Sequence, residues 1–248
     1  MTVETVANAT VLVVQNGPQG GPRRVGRWLE EAGLTLRVAH GYAGDPVPEE
    51  PGGHAAVLVL GGGYMPDEDD RAPWLKPTRA LVAAALEASV PVLGICLGGQ
   101  LLAQVAGGDV AAQSGIPEFG STPLTLRPEA ADDPLFHGLP AGVSAIERHV
   151  DVITALPPGA RWLAESRDCP YQAFRVGDRA WGTQFHPEVP AERLAAWDPE
   201  PLRRRGLDPE ELSRRARAAE PVAEAAWHTV TRRFAALVRE AAGSRTDG

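Results

Sequence analysis

The sequence has few cysteines and lacks an excess of basic charge. It contains two cysteines, Cys96 and Cys169, among 248 residues. Two cysteines are too few for a disulfide framework, which indicates a reducing compartment. The 24 basic and 32 acidic side chains give a formal net charge of −8. This balance argues against a nucleic-acid-binding protein, because such proteins normally carry a basic excess.

The sequence also lacks targeting features and long apolar runs. Residues 1–10 show no basic segment followed by an apolar one, so we do not expect a secretory signal. The most apolar stretch, residues 81–99, contains Glu87 and is interrupted by Pro91. We interpret it as a helix end followed by a buried strand, and not as a membrane span. We therefore expect a cytoplasmic protein with no membrane partner and no nucleic-acid partner.

Short apolar runs alternate with helical patterns in the first part of the chain. Hydrophobic residues make up 44% of the sequence and charged residues 23%, as is typical of a globular protein. Apolar residues spaced three and four apart predict helices between and after the apolar runs. This alternation predicts a parallel sheet covered by helices on both faces. The predicted buried strands lie at residues 11–14, 34–38, 55–60 and 91–95.

The pattern changes after about residue 109. Short alternating stretches predict antiparallel strands on or beside the parallel sheet, and they lie at residues 122–126, 143–146, 171–176 and 180–185. From Pro190 onwards the pattern is helical. We predict an N-terminal tail at 1–9, one α/β domain at 10–189 and a helical extension at 190–248 that packs on the domain. A dimer or partner interface is the alternative role for these last helices.

The segment Gly94-Ile95-Cys96-Leu97-Gly98-Gly99-Gln100 joins a predicted buried strand directly to a predicted helix. A nucleophile on such a tight turn is lifted out of the sheet, and the neighbouring glycines allow the backbone to make the turn. The N-terminus of the helix favours a thiolate over a thiol. The N–H of Leu97 would point at an oxyanion formed at Cys96. A buried structural cysteine is the alternative, but the flanking pattern favours a nucleophile.

A cysteine nucleophile needs a base that is close in space. Among the six histidines, His186 lies at a predicted strand end with a carboxylate two residues later, in Gln184-Phe185-His186-Pro187-Glu188. Pro187 favours extended geometry at His186. Glu188 is then placed to orient the imidazole and to stabilise its protonated form. We therefore predict a Cys96–His186–Glu188 catalytic triad.

Together these two segments resemble the class I (triad) glutamine amidotransferase family, in particular a stand-alone branch similar to the glutaminase domain of GMP synthase. The resemblance extends from about Val11 to Val189 and includes Leu60-Gly61-Gly62 and Cys169-Pro170-Tyr171-Gln172-Ala173-Phe174. It implies an α/β fold with a flavodoxin-like, mostly parallel sheet flanked by helices. Antiparallel strand additions and the helical C-terminal extension would complete this fold.

The resemblance also implies roles for individual residues. Cys96 would be the nucleophile, His186 the general acid and base, and Glu188 the residue that holds His186. The N–H groups of Gly62 and Leu97 would form the oxyanion hole. The residues expected to lie against the bound substrate are Gly61, Gln100, His149, Val150 and Asp151.

Two residues depart from the family pattern. Gly63 stands where the family commonly has proline, which predicts a more mobile oxyanion loop. Val150 stands where glycine is usual, which predicts a narrower or reshaped substrate pocket. These departures motivate the hypothesis that the pocket is not tuned for plain glutamine.

The reaction that the resemblance implies is attack by Cys96 on the γ-carbonyl of glutamine, followed by hydrolysis of a γ-glutamyl thioester. It implies no metal and no organic cofactor. Because the sequence has no Gly-x4-Gly-Lys-Ser/Thr motif for nucleotide phosphates, a separate synthetase subunit would have to receive the ammonia.

Two other functions stay open from the sequence. The first is a self-sufficient γ-glutamyl peptidase or hydrolase, which would use the same triad on a γ-glutamyl amide of a larger amine. The second is a non-catalytic binding or regulatory subunit, against which the intact triad argues. A homodimer through the C-terminal helices is compatible with each of these functions.

Overall fold

The computed structural model describes residues 9–246 of the chain. Except for Ala9, the predicted tail at 1–9 lies outside the described residues, and so does most of the segment on which the expectation about a secretory signal depended. Strands β1 to β12 span Thr10–Gln15, Thr35–His40, Ala56–Val59, Val92–Ile95, Asp109–Ala111, Glu118–Pro123, Thr125–Leu126, Ser144–His149, Val152–Ala155, Arg161–Glu165, Ala173–Val176 and Ala180–Thr183. Helices α1 to α5 span Arg23–Glu31, Leu75–Glu87, Leu97–Val105, Pro199–Arg203 and Pro209–Thr246. Short 3₁₀ helices span Gly41–Ala43, Pro128–Asp132 and Ala191–Ala196.

The central sheet has eight strands in the order β2-β1-β3-β4-β12-β11-β10-β7. The first five strands of this order run parallel to one another. The last three alternate in direction and form an antiparallel edge. Two small antiparallel pairs, β5–β9 and β6–β8, lie outside this sheet. The predicted α/β class with a mostly parallel sheet, antiparallel additions and a C-terminal helix is confirmed.

The strand predicted at residues 180–185 differs from its expectation. It was grouped with the antiparallel additions, but β12 lies inside the main sheet and pairs parallel with β4, from Ala180 opposite Val92 to Thr183 opposite Ile95. On its other side β12 pairs antiparallel with β11, which precedes it through a short hairpin. Its alternating residues do not reveal direction, because strand direction depends on the partner and not on the period of the side chains.

The stretch at 122–126 forms parts of two strands. β6 pairs with β8 in a small sheet, whereas β7 joins the edge of the central sheet beside β10. The break falls at Leu124, between Pro123 at the end of β6 and Thr125 at the start of β7. The sequence patterns also missed β5, β9 and β10, which are short strands of three to five residues.

Helices cover both faces of the sheet. On one face, α2 and α3 pack Leu81, Leu97 and Leu101 against the sheet. On the other face, α1 and α5 contribute Trp28 and Phe234 to a second cluster. Because both faces are covered, strands β3 and β4 are buried along their whole length, which agrees with their continuous apolar sequences.

The long helix α5 supplies large side chains to the core beside the sheet. The ring of Trp227 lies 4.6 Å from that of Phe185, and its Nε1 donates a hydrogen bond to the Ser144 carbonyl at 3.0 Å. Phe234 lies edge-on to Trp181, with 6.4 Å between ring centroids. The side chains of α5 therefore share one core cluster with the sheet. The division of the chain near residue 190 stays a prediction.

Within residues 9–246, none of the helices combines the length and the apolar character that crossing a membrane would require.

Candidate active site

Cys96 occupies the turn between β4 and α3 with an unusual backbone. Its φ of 51° and ψ of −109° lie in a region that non-glycine residues rarely adopt. A Cβ added to Gly94 would come within 2.3 Å of the Gly98 carbonyl oxygen, and one added to Gly98 within 2.0 Å of the Val59 carbonyl oxygen. Only glycine therefore lets the helix start so close to the strands. The turn presents Cys96 at the carboxyl end of the sheet, where it lines a cleft.

His186 reaches the same end of the sheet from the neighbouring strand β12. Because β4 and β12 are parallel partners, the segments that follow them lie side by side. The His186 N–H donates to the Ile146 carbonyl at 2.8 Å, and His186 Nδ1 lies 2.7 Å from Glu188 Oε1. The structure thus brings the three residues of the predicted triad together, and all three line the cleft.

The electrostatics at His186 favour its protonated form. Burial acts to lower the pKa of His186, but the interactions with Glu188 and with Cys96 outweigh burial and raise this pKa well above its usual value. Hydrogen bonds from His186 to Cys96 and to Glu188 act in the same direction. A thiolate–imidazolium pair is the ionisation state that a cysteine nucleophile requires.

The loop after β3 packs directly against the cysteine and the histidine. A Cβ on Gly61 would lie 2.8 Å from His186 Cε1 and 3.4 Å from Cys96 Cβ. A Cβ on Gly62 would lie 2.7 Å from Leu97 Cδ2. Gly61 and Gly62 line the cleft, whereas Leu97 is fully buried behind it. Gly63 has open space around it.

Asn16 holds the loop after β3 in place through hydrogen bonds. Its Nδ2 donates to the Leu60 carbonyl at 2.7 Å, and its Oδ1 accepts a hydrogen bond from Trp74 Nε1 at 2.9 Å. Asn16 is completely buried. The sequence patterns assigned Asn16 only to a turn, because a structural amide has no motif of its own.

Gln100 lies behind the cleft and does not line it. Its Nε2 donates to the Asp151 carbonyl at 3.0 Å and to Gln184 Oε1 at 3.1 Å. Gln184 in turn places its Nε2 3.8 Å from Cys96 Sγ. Gln184 belongs to the histidine motif of the sequence, but that motif predicted no role for it. Its position two residues before His186 is the signal that could have marked it.

The segment expected beside the substrate lies next to the cleft and lines it only in part. His149, Val150 and Asp151 are not among the residues that line the cleft, whereas Ile146 and Arg148 from the same segment are. His149 is buried, and the Asp151 carboxylate accepts a hydrogen bond from the Gln113 N–H at 2.8 Å. Contact between these three residues and substrate stays a prediction.

Behind the cleft lies a buried polar cluster, which we define as Glu118, Glu147, His149, Ser166, Cys169 and Gln172. Ser166 Oγ and Gln172 Nε2 each donate to Glu118 at 2.7 Å. Burial, followed by the charges of Glu118 and Glu147, raises the pKa of Cys169 to about 12. Potential ligand atoms of Glu118, His149 and Cys169 lie within 4.8 Å of one another. Hydrogen bonds occupy both Glu118 oxygens. Both Glu147 oxygens, His149 Nδ1 and Gln172 Oε1 are buried and have no hydrogen-bond partner among the described residues.

The cleft has a volume of ≈ 660 Å³. Besides the residues named above, it is bounded by the loop that precedes α1 and by the segment that follows Glu188. Three arginines line it, namely Arg23, Arg148 and Arg193. The Arg148 guanidinium stacks 5.1 Å above the ring of Trp197. None of these arginines was singled out from the sequence, because arginines in loops carry no motif.

Known proteins resemble this chain in both sequence and fold. The profile of a family described as glutamine amidotransferase class-I matches residues 24–206. Because that match covers most of the chain, the protein belongs to the class I glutamine amidotransferase family. The resemblance seen in the sequence is thereby confirmed.

Two curated relatives are named glutamine-hydrolysing GMP synthases. The one from Thermus thermophilus is 39% identical over 180 residues, which are 72% of this chain and 33% of the relative. The one from Porphyromonas gingivalis is 37% identical over 149 residues, which are 60% of this chain and 28% of the relative. The matched region thus spans about a third or less of these relatives' length.

A solved structure agrees over nearly the whole chain. A glutamine amido transferase from Methylobacillus flagellatus shares 27% identity with a TM-score of 0.81, covering 92% of this chain and 94% of that one. The overall architecture is therefore that of a class I glutamine amidotransferase.

Proposed function

We propose that this protein hydrolyses the γ-amide of glutamine through a γ-glutamyl thioester on Cys96. The observation that carries the proposal is the hydrogen-bonded series Cys96–His186–Glu188, which lines the cleft. The glutamine-hydrolysing names of the relatives support glutamine as the substrate.

The first half of the reaction forms the thioester. The Cys96 thiolate attacks the γ-carbonyl carbon, and the N–H groups of Gly62 and Leu97 stabilise the oxyanion. His186 donates its proton to the departing nitrogen, which leaves as ammonia. Loss of one such oxyanion donor typically costs about a hundredfold or more in rate.

The second half hydrolyses the thioester. Water gives a proton to the now neutral His186 and attacks the thioester carbonyl, which releases glutamate and restores the thiolate–imidazolium pair. Glu188 holds the ring and stabilises its charge in both halves. One glutamine and one water thus become one glutamate and one ammonia.

We further propose that the ammonia passes to a separate synthetase. The support is that each curated relative continues well beyond the region that this chain matches and is named a synthase. The chain by itself is then expected to hydrolyse glutamine slowly, and a synthetase partner should increase the rate.

The test is glutamate release from glutamine, combined with mass spectrometry after treatment with 6-diazo-5-oxo-norleucine, an electrophilic glutamine analogue. We expect one covalent adduct on Cys96, and Cys96→Ala should lose both the adduct and about a thousandfold or more of the activity. Cys169→Ala is the matched control, because that thiol is buried away from the cleft. It should keep both signals.

Covalent labelling does not depend on a partner, so it separates a slow enzyme from an inactive one. Equal glutamate release by the unaltered protein and by Cys96→Ala, with no adduct on either, would show a non-catalytic subunit and refute the proposal.

A further inference from the structure

Two side-chain amides form a hydrogen-bonded series that ends on the sulfur of Cys96. Gln100 Nε2 donates to the Asp151 carbonyl at 3.0 Å and to Gln184 Oε1 at 3.1 Å. Gln184 Nε2 in turn lies 3.8 Å from Cys96 Sγ, which is within hydrogen-bond distance for sulfur. Gln184 is completely buried and is not among the residues that line the cleft. It therefore contacts the sulfur from the interior of the protein.

The direction of these hydrogen bonds follows from the backbone carbonyl at which the series begins. A carbonyl oxygen can only accept, so the Gln100 atom that faces Asp151 must be the amide nitrogen. The second proton of this nitrogen needs an acceptor, which places Gln184 Oε1 towards Gln100. Reversing either amide would bring two donors or two acceptors together in a buried place, which is costly. The Nε2 of Gln184 is thereby directed at Cys96.

An N–H group directed at sulfur favours the charged form of the cysteine. A thiolate has no proton and can only accept, and hydrogen bonds to an ionised acceptor are roughly twice as strong as those to a neutral one. Cys96 Sγ is the acceptor that the described residues provide for Gln184 Nε2. The hydrogen bond thus matches the ionisation state that a cysteine nucleophile requires.

Two titratable groups from other elements also act on Cys96. His186, in the segment after β12, forms a hydrogen bond with Cys96 and interacts with its charge. Glu147 on β8 interacts with the charge of Cys96 as well. Neither group contributes to the hydrogen bond between Gln184 and Cys96. A substitution of Gln184 leaves both of them in place, so its effect on the thiol can be measured separately.

We propose that Gln184 is a positioning residue for the proposed reaction, in which its Nε2 donates a hydrogen bond to the Cys96 thiolate and Gln100 fixes the direction of that bond. This inference rests on the proposed thioester chemistry. Gln184 transfers no proton. Its hydrogen bond stabilises the negative sulfur before the attack, and stabilises it again when the thiolate leaves during hydrolysis of the thioester.

The experiment measures alkylation of Cys96 by iodoacetamide across a range of pH. A Cys169→Ala background leaves Cys96 as the only cysteine, and the thiolate is the form that reacts. Gln184→Met keeps the length of the side chain but has no N–H. We expect it to raise the pH midpoint of alkylation by about one unit or more, as the loss of a hydrogen bond to a charged group predicts.

The pH profile of glutamine hydrolysis provides the second readout. Gln184→Met should lower kcat about tenfold or more at neutral pH, and this loss should become smaller as the pH rises and the thiolate forms without the donor. KM should change little, because Gln184 does not line the cleft. Gln104→Met is the matched control, since Gln104 lies on α3 and does not line the cleft. It should keep both pH profiles.

Gln100→Met tests the orienting role of Gln100 in the same alkylation assay. This variant keeps the amide of Gln184 but removes the donor that fixes its direction. We expect a shift of the alkylation midpoint in the same direction as for Gln184→Met, but a smaller one. If Gln184→Met does not fold, as judged by far-UV circular dichroism, the midpoint of Gln100→Met decides the inference.

The outcomes separate this inference from the proposed function. An unchanged alkylation midpoint in folded Gln184→Met would overturn the inference alone, and so would an equal loss of activity at every pH, which would indicate a merely structural role. Absence of glutamine hydrolysis and of a covalent adduct in the unaltered protein would refute the proposed function. The alkylation profile needs no substrate, so it would still show whether Gln184 stabilises the thiolate.

Discussion

The surroundings of Cys96 hold its backbone in a conformation that is unfavourable for a non-glycine residue. A positive φ at a non-glycine residue costs about 1–3 kcal/mol and persists only where the surroundings enforce it. Here Gly94 and Gly98 allow strand and helix to approach within van der Waals contact, and Cys96 N–H donates to the Thr183 carbonyl at 2.7 Å. The strained turn holds the thiol at the end of the sheet.

Glu147 is a second residue that its surroundings affect, in this case through the pKa of its carboxyl group. It is completely buried on β8, with His149 Nε2 3.4 Å from its Oε2. Burial, and after it the charge of Glu118, raises the pKa of Glu147 well above the usual carboxyl value. The folded protein therefore keeps this proton over a pH range in which the unfolded chain has released it.

This difference predicts how stability depends on pH. A raised pKa in the folded state means that the free energy of unfolding falls as pH rises from the unfolded pKa to the folded one, by about 1.4 kcal/mol per pH unit. Glutamine at position 147 does not titrate. Glu147→Gln should therefore gain stability relative to the unaltered protein as the pH rises above the pKa of an unfolded glutamate, as measured by urea unfolding.

The control for this prediction is Glu30→Gln, which removes an exposed carboxylate of α1. Its stability difference from the unaltered protein should change little over the same pH range. If the difference for Glu147→Gln were as constant as that of the control, Glu147 would ionise alike in both states and the prediction would be wrong.

At the scale of elements, α5 completes one face of the sheet. Its apolar residues join α1 in the cluster that covers this face. The Arg24–Glu220 ion pair, at 2.6 Å, links the two helices, and Arg24 Nε also donates to the Pro187 carbonyl at 2.7 Å. The helix is thereby connected to the segment between His186 and Glu188. Packing of α5 thus supports both the core and the position of the proposed base.

Two residues of α5 should respond very differently to truncation. Phe234 is fully buried against Trp181, so Phe234→Ala should lower the free energy of unfolding by about 3–5 kcal/mol. Val222 on the same helix is 54% exposed, and Val222→Ala should change stability by about 0.5 kcal/mol or less. Urea unfolding of both variants provides the measurement. Equal effects would contradict the described packing of α5.

At the scale of the whole molecule, the shared core predicts cooperative unfolding. The cluster that contains Phe234 of α5 also contains Val11 of β1 and Leu58 of β3. A helix that shares a core with the sheet cannot leave without exposing the sheet. We therefore expect tryptophan fluorescence and far-UV circular dichroism to report one coincident urea transition.

The tryptophans make this measurement informative, since Trp227 lies on α5 and Trp181 on β12. The chain has six tryptophans, so the part of the fluorescence change that is lost in Trp227→Phe reports α5, and the part that is lost in Trp181→Phe reports β12. An early, separate transition seen through Trp227 would show that the C-terminal helix unfolds as its own unit, against the predicted packing of residues 190–248.

Parts of the fold were accessible from the sequence because they depend on local patterns. The apolar runs of β1, β3 and β4 and the spacing of α1 residues such as Trp28 and Leu29 follow from burial of one face or both. The direction of β12 was not accessible, because the same alternating pattern suits a parallel or an antiparallel partner. The short strands β5, β9 and β10 carry too few residues to show a period.

The same division holds for the candidate site. The glycines around Cys96 and the carboxylate after His186 are neighbours along the chain, so their spacing is visible in the sequence. The lining of the cleft by Arg23 and Arg193, the Gln184 contact with Cys96 and the burial of Glu147 each depend on residues from separate elements. No spacing along the chain encodes such contacts.

The sequence by itself determined the family, the alternation of strands and helices, and the residues predicted to form the triad, because each depends on residue types at fixed short separations. Only the tertiary structure decided that β4 and β12 are neighbours, which brings Cys96 beside His186. It also decided that Gln100 and His149 lie outside the cleft while three arginines line it. The physical reason is that close packing selects which distant segments meet, and this selection depends on the whole chain at once.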